Sequence, residues 1–188
     1  MQEINMIDSI KEKINNLLKD FERYPDKYLT ESDVQCDLVS KLKDIDGLNQ
    51  LYNTKDQSKS APIHTEIRWY GQSGKLKFRS DIVILDINTL RVKEKFFRLP
   101  SKGYIFNEPK AIIEIKFRRI NGESDNKFIQ KINEDIDRIK KIKEEVNGTY
   151  PCFLVILDKK ANIRKSIPEN DKNSIYICYS CKENNNNL

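Results

Sequence analysis

The chain has 188 residues, of which 38% are hydrophobic and 34% charged, and its formal net charge is +5. This length allows one domain with a hydrophobic core, and recurring apolar runs argue against a disordered chain. No apolar run approaches the ~20 residues of a membrane span, and the opening MQEINMIDSIKEK lacks an apolar signal region, so we expect a cytoplasmic protein outside the membrane. The mild positive charge is compatible with a polyanionic partner and equally with simple solubility.

Two helices are predicted at the start of the chain. Residues 4–21 carry apolar side chains at helical spacing, and the Tyr24-Pro25 pair ends this helix. A second helix begins after Thr30, an N-cap residue with Asp33 three positions on, and it runs through Leu42. Residues 53–62 read as a polar loop.

Three strands follow, at residues 63–70, 78–87 and 110–117, and the turn GQSGK joins the first two. These three strands predict a meander. Residues 88–110 form an irregular insert with room for an extra hairpin.

A long helix and two further strands complete the order. Ser124 caps the helix and Gly148 can end it, and the strands lie at 152–158 and 175–179. The helix allows a right-handed crossover to a parallel strand. We therefore predict an α/β fold, a central mixed sheet flanked by helices. The predicted parts are a single domain over 1–182, a helical extension at 1–29, the insert at 88–110 and a disordered tail at 183–188.

Residues 111–117, AIIEIKF, place two opposite charges inside a strand that otherwise belongs to the core. Side chains alternate along a strand, so Glu114 and Lys116 share one face and Ile113, Ile115 and Phe117 share the other. Burying either charge alone is costly. A wet strand end, or mutual neutralisation of the pair, would explain the two charges without a function.

Two further acids point to the same place. Asp81 directly precedes the buried run IVIL, and a neighbouring strand can bring it beside Glu114. Two carboxylates so close repel each other, and a divalent cation such as Mg²⁺ relieves the repulsion. Glu31 lies in the middle of the apolar stripe of the second helix, with Gln35 near it. A strand-edge role for Asp81 and a helix-dipole role for Glu31 are the simpler alternatives.

These residues, placed on these elements, resemble the PD-(D/E)xK phosphodiesterase superfamily over about residues 30–180. The motif residues are Glu31, Ser80-Asp81 and Glu114-Ile115-Lys116. The resemblance implies a restriction-endonuclease-like fold with the core order α-β-β-β-α-β. It also implies a phosphodiester hydrolase that depends on Mg²⁺ or Mn²⁺. The chain departs from the family pattern in three places. Ser80 stands where the family has proline, and the insert lengthens the gap between Asp81 and Glu114. Some relatives carry a Gln and a Tyr four residues apart on the following helix, but here the residue four positions after Gln130 is Glu134.

The resemblance also implies a role for each motif residue. Asp81, Glu114 and the Ile115 carbonyl would hold the metal, and Glu31 would complete the site directly or through water. Lys116 would orient or activate the attacking water, or stabilise the charge on the phosphate. These parts suit phosphodiester hydrolysis, which needs its negative charge offset and its water activated.

Other polar residues are secondary candidates. Glu66 shares a strand face with His64 and is an auxiliary acid or part of a solvated face. The insert carries six basic and two acidic side chains with four aromatic residues interleaved, which favours contacts with phosphates and bases. A hairpin that packs its aromatic residues on the core explains the pattern equally well. The candidate nucleic-acid-binding residues are Arg91, Lys93, Lys95, Arg98 and Lys102.

Three functions follow from these observations. The first is a Mg²⁺-dependent DNA endonuclease of a restriction, repair or mobile-element system, with RNA as an open second substrate. The second is an inactive nucleic-acid-binding or regulatory protein that retains the fold, and the third is an interaction domain in which E-x-K has no catalytic role. The sequence shows no separate DNA-reading module, so recognition would come from the insert, the loops or a partner protein. Cutting both strands of a duplex often needs two sites, which makes a homodimer plausible.

Overall fold

A computed structural model of the chain describes residues 2–70, 76–93, 108–146, 149–160, 163–170 and 175–182. The helices in these segments are α1 (Gln2–Arg23), α2 (Glu31–Leu42) and α3 (Asp125–Val146), with short 3-10 turns at Pro25–Lys27 and Arg164–Ser166. The strands are β1 (Tyr52–Asn53), β2 (Lys59–Ser60), β3 (Ile63–Tyr70), β4 (Leu76–Leu85), β5 (Pro109–Arg118), β6 (Cys152–Asp158) and β7 (Ile175–Cys181).

Five strands form one mixed sheet in the order β3-β4-β5-β6-β7. The first three are antiparallel neighbours, while β6 runs parallel to β5 and β7 runs parallel to β6. Helix α3 makes the crossover from β5 to β6, as a parallel neighbour requires. The predicted meander, the parallel crossover and the α/β class are therefore confirmed. Strands β1 and β2 form a separate two-stranded ribbon in the segment predicted as a loop.

Helices cover both faces of the sheet, because alternate strand residues supply two separate apolar cores. The α1/α2 face buries Ile82 and Ile84 of β4 against helices α1 and α2. The α3 face buries Val83 and Leu85 of the same strand against helix α3. This alternation in a strand that is apolar on both sides is typical of a sheet sandwiched between helix layers.

The start of α2 is fixed by a capping box. The Asp33 N–H donates to Thr30 Oγ1 (3.2 Å), and the Thr30 N–H donates back to Asp33 Oδ2 (2.9 Å). Such a cap stabilises a helix by about 1 kcal/mol. Glu31 thereby becomes the first helical residue, and the buried residues Val34 and Leu38 hold the helix against the sheet.

A buried ion pair ties together the ends of β5 and β6. Arg118 is 1% exposed, and its Nε donates to Asp158 Oδ1 at 2.9 Å. The same guanidinium donates to Asp125 Oδ1 (2.7 Å) in the first turn of α3 and lies 4.6 Å from the Phe128 ring centroid. These contacts fix the position of α3 relative to the end of β5 that carries Glu114 and Lys116.

Some boundaries differ from the sequence prediction. Strand β4 ends at Leu85, two residues early, because Asp86 starts a turn in which the Thr89 and Leu90 N–H groups donate to the Asp86 carbonyl. Residues 94–107 of the insert, where the hairpin was predicted, the predicted helix-ending Gly148 and the predicted disordered tail at 183–188 lie outside the described residues. Within the described segments, no helix has the length and apolar character needed to cross a membrane.

Candidate active site

Strands β4 and β5 separate partway along their length. Their pairing runs from Leu85 to Ile82, and Ile82 opposite Ile113 is the last pair. The Ile112 N–H donates toward β6, to the Pro151 carbonyl, so the N–H groups of Ile115 and Phe117 point to the side that β4 has left. A gap therefore opens beside the second half of β5.

Two carboxylates bond to the β5 main chain where β4 is missing. Asp81 Oδ2 accepts from the Ile115 N–H at 2.7 Å, and Glu31 Oε2 accepts from the Phe117 N–H at 3.3 Å. Unpaired N–H groups at this position would be costly if buried. The two carboxylates therefore accept hydrogen bonds that a neighbouring strand would accept in a continuous ladder, and both lie at the edge of the same gap.

The strand face changes at this point in β3 and β4 alike. Ile63 packs on the α1/α2 face, whereas Ile67 packs on the α3 face, although strict alternation would keep both on one side. Glu66 lies between them with a positive φ of 58°. The register pairs Thr65 with Ile82 and then Ile67 with Ser80, so Glu66 and Asp81 both fall at the position between these pairs. Such a backbone is uncommon for a residue other than glycine and marks local strain.

Ser80 shows the same change in β4. Its hydroxyl accepts from Trp69 Nε1 at 2.9 Å, and Trp69 belongs to the core of the α3 face. The Ser80 hydroxyl also donates to the Glu114 carboxylate. Ser80 thereby turns toward α3, whereas Ile82 two residues later faces α1 and α2. The face change brings Ser80 to Glu114 and leaves Asp81 at the gap.

A pocket of about 330 Å³ occupies the gap. Its lining comes from α2, β4, β5 and α3 and consists of Glu31, Phe78, Arg79, Asp81, Glu114, Lys116 and Arg138. The four side chains predicted to be catalytic, which are far apart in sequence, thus line one pocket together. Three acids and three cations surround a space that two helices and two strands define.

Glu114 is the most deeply buried acid of the pocket. It is 2% exposed, and its Oε1 has no hydrogen-bond partner among the described residues. Burial raises the pKa of Glu114 well above its ordinary value, and the neighbouring Asp81 carboxylate raises it further. An unpaired carboxylate oxygen in such a place is unfavourable. A bound cation or a proton would stabilise this oxygen.

Asp81 and Glu31 are perturbed in the same direction. Burial raises the pKa of Asp81 to about 6, against the effect of the Ile115 N–H, and the charges of Glu31 and Glu66 add to the increase. Burial also raises the pKa of Glu31, although Lys116 opposes the shift. Perturbed acids gathered in a cleft are a recurring property of functional sites.

Lys116 is held by a residue that the sequence analysis missed. Its Nζ lies 2.8 Å from Asp135 Oδ2 of α3, and Asp135 is 2% exposed. Burial lowers the pKa of Lys116, but Asp135 more than offsets this, so the pKa stands above its ordinary value. The other carboxylate oxygen of Asp135 lies 2.8 Å from Arg138. Lys116 is therefore a fixed, protonated cation at the edge of the pocket.

The sequence contained a signal for Asp135. At 100° per residue, Asp135 falls within the apolar stripe of α3, between Ile132 and Ile139. This is the criterion that singled out Glu31 on α2. Arg138 follows one turn later and reaches the pocket from the flank of the stripe.

The auxiliary candidates lie beside the pocket. The Gln35 Nε2 donates to the Asp81 carbonyl (2.8 Å) and to Glu66 Oε1 (3.2 Å). Glu66 also pairs with Arg79, which is itself in the pocket lining, at 3.0 Å. Gln35 and Glu66 therefore stabilise the backbone around Asp81, and neither of these two residues lines the pocket.

The basic insert is only partly described. Arg91 and Lys93 lie in the segment after β4, where the backbone N–H of Lys93 donates to Asp56 Oδ2 at 2.7 Å. Neither residue lines the pocket. Lys95, Arg98 and Lys102 lie outside the described residues, so the prediction of nucleic-acid binding by the insert remains a prediction.

A divalent cation fits the chemistry of the pocket in part. In the portion of the chain that the structure describes, no group of three or more His, Cys, Asp or Glu side chains is placed to hold a metal ion. The unpaired Oε1 of buried Glu114 and the all-oxygen character of the three acids nevertheless suit a hard cation such as Mg²⁺. Asp81 and Glu31 each keep one carboxylate oxygen outside their bonds to β5.

Comparisons with protein-family models, with curated proteins and with solved structures found no match for this chain.

Proposed function

We propose that this protein is a divalent-metal-dependent nuclease that hydrolyses phosphodiester bonds in DNA. The observation that carries the proposal is that Glu31, Asp81, Glu114 and Lys116 line one pocket. The order of elements around it also supports the proposal. A helix, three antiparallel strands, a helix and a parallel strand follow one another as in the restriction-endonuclease-like fold that the sequence resembles.

Each pocket residue has a separate role in the proposed reaction. Asp81 and Glu114 would hold Mg²⁺ or Mn²⁺, with Glu31 and the Ile115 carbonyl as further ligands. The metal, when bound, polarises the phosphate and makes a water molecule more nucleophilic. Burial disfavours the charged forms of Asp81 and Glu114, and the charge of Asp81 adds to this effect at Glu114. A dication that relieves the repulsion would therefore bind favourably beside these acids.

Lys116 acts in this proposal as a cation and not as a base. Its contact with Asp135 at 2.8 Å keeps its pKa raised, so it carries a proton at neutral pH. A protonated amine donates hydrogen bonds to the attacking water or to a phosphate oxygen, and it offsets the negative charge that grows during hydrolysis. Arg79 and Arg138 add two further cations to the pocket.

Plasmid cleavage tests the proposal. We expect the wild-type protein to nick or linearise supercoiled DNA with Mg²⁺ or Mn²⁺ and to be inactive in EDTA. The variants Asp81→Ala and Lys116→Ala are each expected to lose about 100-fold or more in rate. Matched controls are Asp137→Asn, an exposed acid of α3, and Lys110→Ala, which lies on the same strand as Lys116 and contacts Asp86 at 3.5 Å.

Two results would contradict the proposal. Cleavage that persists in EDTA would exclude the metal, and full activity of Asp81→Ala would exclude this pocket. Metal-independent DNA binding by a wild-type protein that never cleaves would favour the inactive, regulatory alternative.

A further inference from the structure

A second, larger groove leads away from the pocket. It has a volume of about 710 Å³ and shares Glu31 and Lys116 with the pocket lining. Its other walls come from the residues between α1 and α2, the segment after β5, and the ends of β6 and β7. Anything lying in this groove would reach the pocket along the sheet edge where β5, β6 and β7 end.

The groove is positively charged. Cations outnumber acids five to three in its lining. Arg119, directly after β5, is exposed. Lys159 and Lys182 follow β6 and β7 and lie 3.1 Å and 3.8 Å from the single carboxylate of Asp26, which is itself 79% exposed. The pair between Lys182, whose side chain is 40% exposed, and Asp26 is a surface ion pair that contributes little, so a phosphate group can replace Asp26 as the partner of Lys182. The Lys159 side chain is 9% exposed and presents its Nζ to the groove beside Asp26.

The groove also presents apolar side chains to solvent. Leu29 is 67% exposed and Ile120 is 59% exposed, and both line the groove together with Phe117. Single exposed apolar residues are ordinary. Two of them beside exposed cations suit a ligand that alternates charged and apolar groups. A nucleic-acid strand has that alternation, with phosphates along the backbone and flat, apolar base faces.

The exposed Leu29 and Ile120 favour an unpaired DNA strand over a duplex as the ligand of the groove. In a duplex, base faces are stacked on one another and only base edges and backbone are accessible. An unpaired strand offers its base faces to side chains, and single-strand binding sites combine a cationic groove with aromatic side chains on which bases stack. Phe117 is the aromatic residue of this lining, and Leu29 and Ile120 add apolar surface beside it.

We propose that this groove binds single-stranded DNA and delivers it to the pocket. Arg119, Lys159 and Lys182 contact backbone phosphates, and Leu29 and Ile120 contact unpaired bases. The inference rests on the proposed nuclease function, since it names the substrate form that the pocket receives. It places strand binding at the ends of β5, β6 and β7, and neither Arg91 nor Lys93, the described candidate residues of the basic insert, lines this groove.

Binding of fluorescent oligonucleotides in EDTA tests the groove without cleavage. We expect the wild-type protein to bind single-stranded DNA more tightly than a duplex of the same sequence. Arg119→Glu and Lys182→Glu are each expected to weaken single-strand binding about tenfold. Each should also reduce the slope of log affinity against log salt by about 0.7 for every phosphate that the variant no longer neutralises. The control is Lys59→Glu, an exposed lysine of β2 near the other end of the sheet, which should change neither quantity.

A double substitution, Leu29→Ser with Ile120→Ser, tests the base contacts separately. It should weaken single-strand binding and leave the weaker duplex binding unchanged. Equal binding of both DNA forms, or the same reduction for Lys59→Glu as for Arg119→Glu, would overturn the groove assignment. Thermal melts of each variant show whether the fold is retained.

The outcomes separate this inference from the proposed function. Metal-dependent cleavage that is insensitive to the groove variants would overturn the groove and leave the nuclease proposal standing. Groove-dependent single-strand binding without cleavage under any metal would support the groove and overturn the nuclease proposal. Absence of any DNA binding at low salt would overturn the groove directly.

Discussion

The Asp81 carboxylate destabilises the metal-free fold at neutral pH, so the substitution Asp81→Asn is expected to stabilise it. An asparagine keeps an oxygen that can accept from the Ile115 N–H, a contact of 2.7 Å in the wild-type protein. It removes the negative charge that burial and the neighbouring acids disfavour. The variant should therefore gain stability while losing the metal-dependent activity proposed for this pocket.

The size of the gain follows from the pKa of Asp81. Its value rises from 3.8 to about 6 on folding, and a carboxyl shifted that far weakens folding by about 3 kcal/mol once both states are ionised. Because Asp81 keeps some solvent exposure, we expect about 2 kcal/mol, or about 4–8 °C in melting temperature. Between these two pKa values the folded state binds more protons than the unfolded state, so wild-type stability falls as pH rises through this window and levels off above it.

Denaturant unfolding in EDTA at pH 8 and pH 4.5 measures this effect. At pH 8 Asp81→Asn should be more stable than the wild type by the full amount. At pH 4.5, where the folded wild-type protein already carries the proton on Asp81, the difference should shrink to about a third. Asp137→Asn, on the exposed side of α3, is the control and should show no gain. A variant that is less stable than the wild type at pH 8, or a gain equal at both pH values, would refute the reasoning.

Three further outcomes are expected. Trp69 is the only tryptophan and bonds to Ser80, so titration with Mn²⁺ or Mg²⁺ should change its fluorescence. The substitution Glu114→Gln should abolish that change, and an unaltered titration would place the metal elsewhere. Asp135→Asn should lower the pKa of Lys116, since the effect of burial is then opposed only by the charges of Glu31 and Asp81. The alkaline limb of the pH–rate profile of cleavage should move to lower pH, whereas a purely structural role would reduce the rate at all pH values alike. Replacing Asp158 by Ala leaves the buried Arg118 with the half-exposed Asp125 as its remaining acidic partner and should cost about 3 kcal/mol in urea unfolding.

The fold was largely readable from the sequence because its elements follow simple periodicities. Apolar residues recur at helical spacing through α1 and α3, and the IVIL end of β4 and nearly all of β6 are continuous apolar runs, as expected of a sheet covered on both faces. The capping pair Thr30 and Asp33 located the start of α2. The ribbon of β1 and β2 was missed because each strand has only two residues and neither shows an alternating pattern.

The candidate site was predictable only in its parts. The alternation in AIIEIKF correctly separated Glu114 and Lys116 from the apolar face. Strict alternation could not predict the face change in β3 and β4, because it depends on the positive φ of Glu66. The partnership of Lys116 with Asp135 needs the packing of α3 on the sheet, which the sequence pattern of α3 alone does not specify.

The acid that the resemblance assigns to the metal also keeps β4 and β5 apart. The Ile115 N–H faces the side where a continuous ladder would place β4, and it bonds instead to the Asp81 side chain. A shortened side chain at this position would remove the acceptor as well as the charge. Asp81→Ala should therefore gain much less stability than Asp81→Asn, because an unpaired buried N–H costs about 1–3 kcal/mol. If the two variants were equally stable in EDTA at pH 8, Asp81 would not hold the gap open. The pocket would then owe its shape to the strained backbone at Glu66 and the contacts of Gln35 alone.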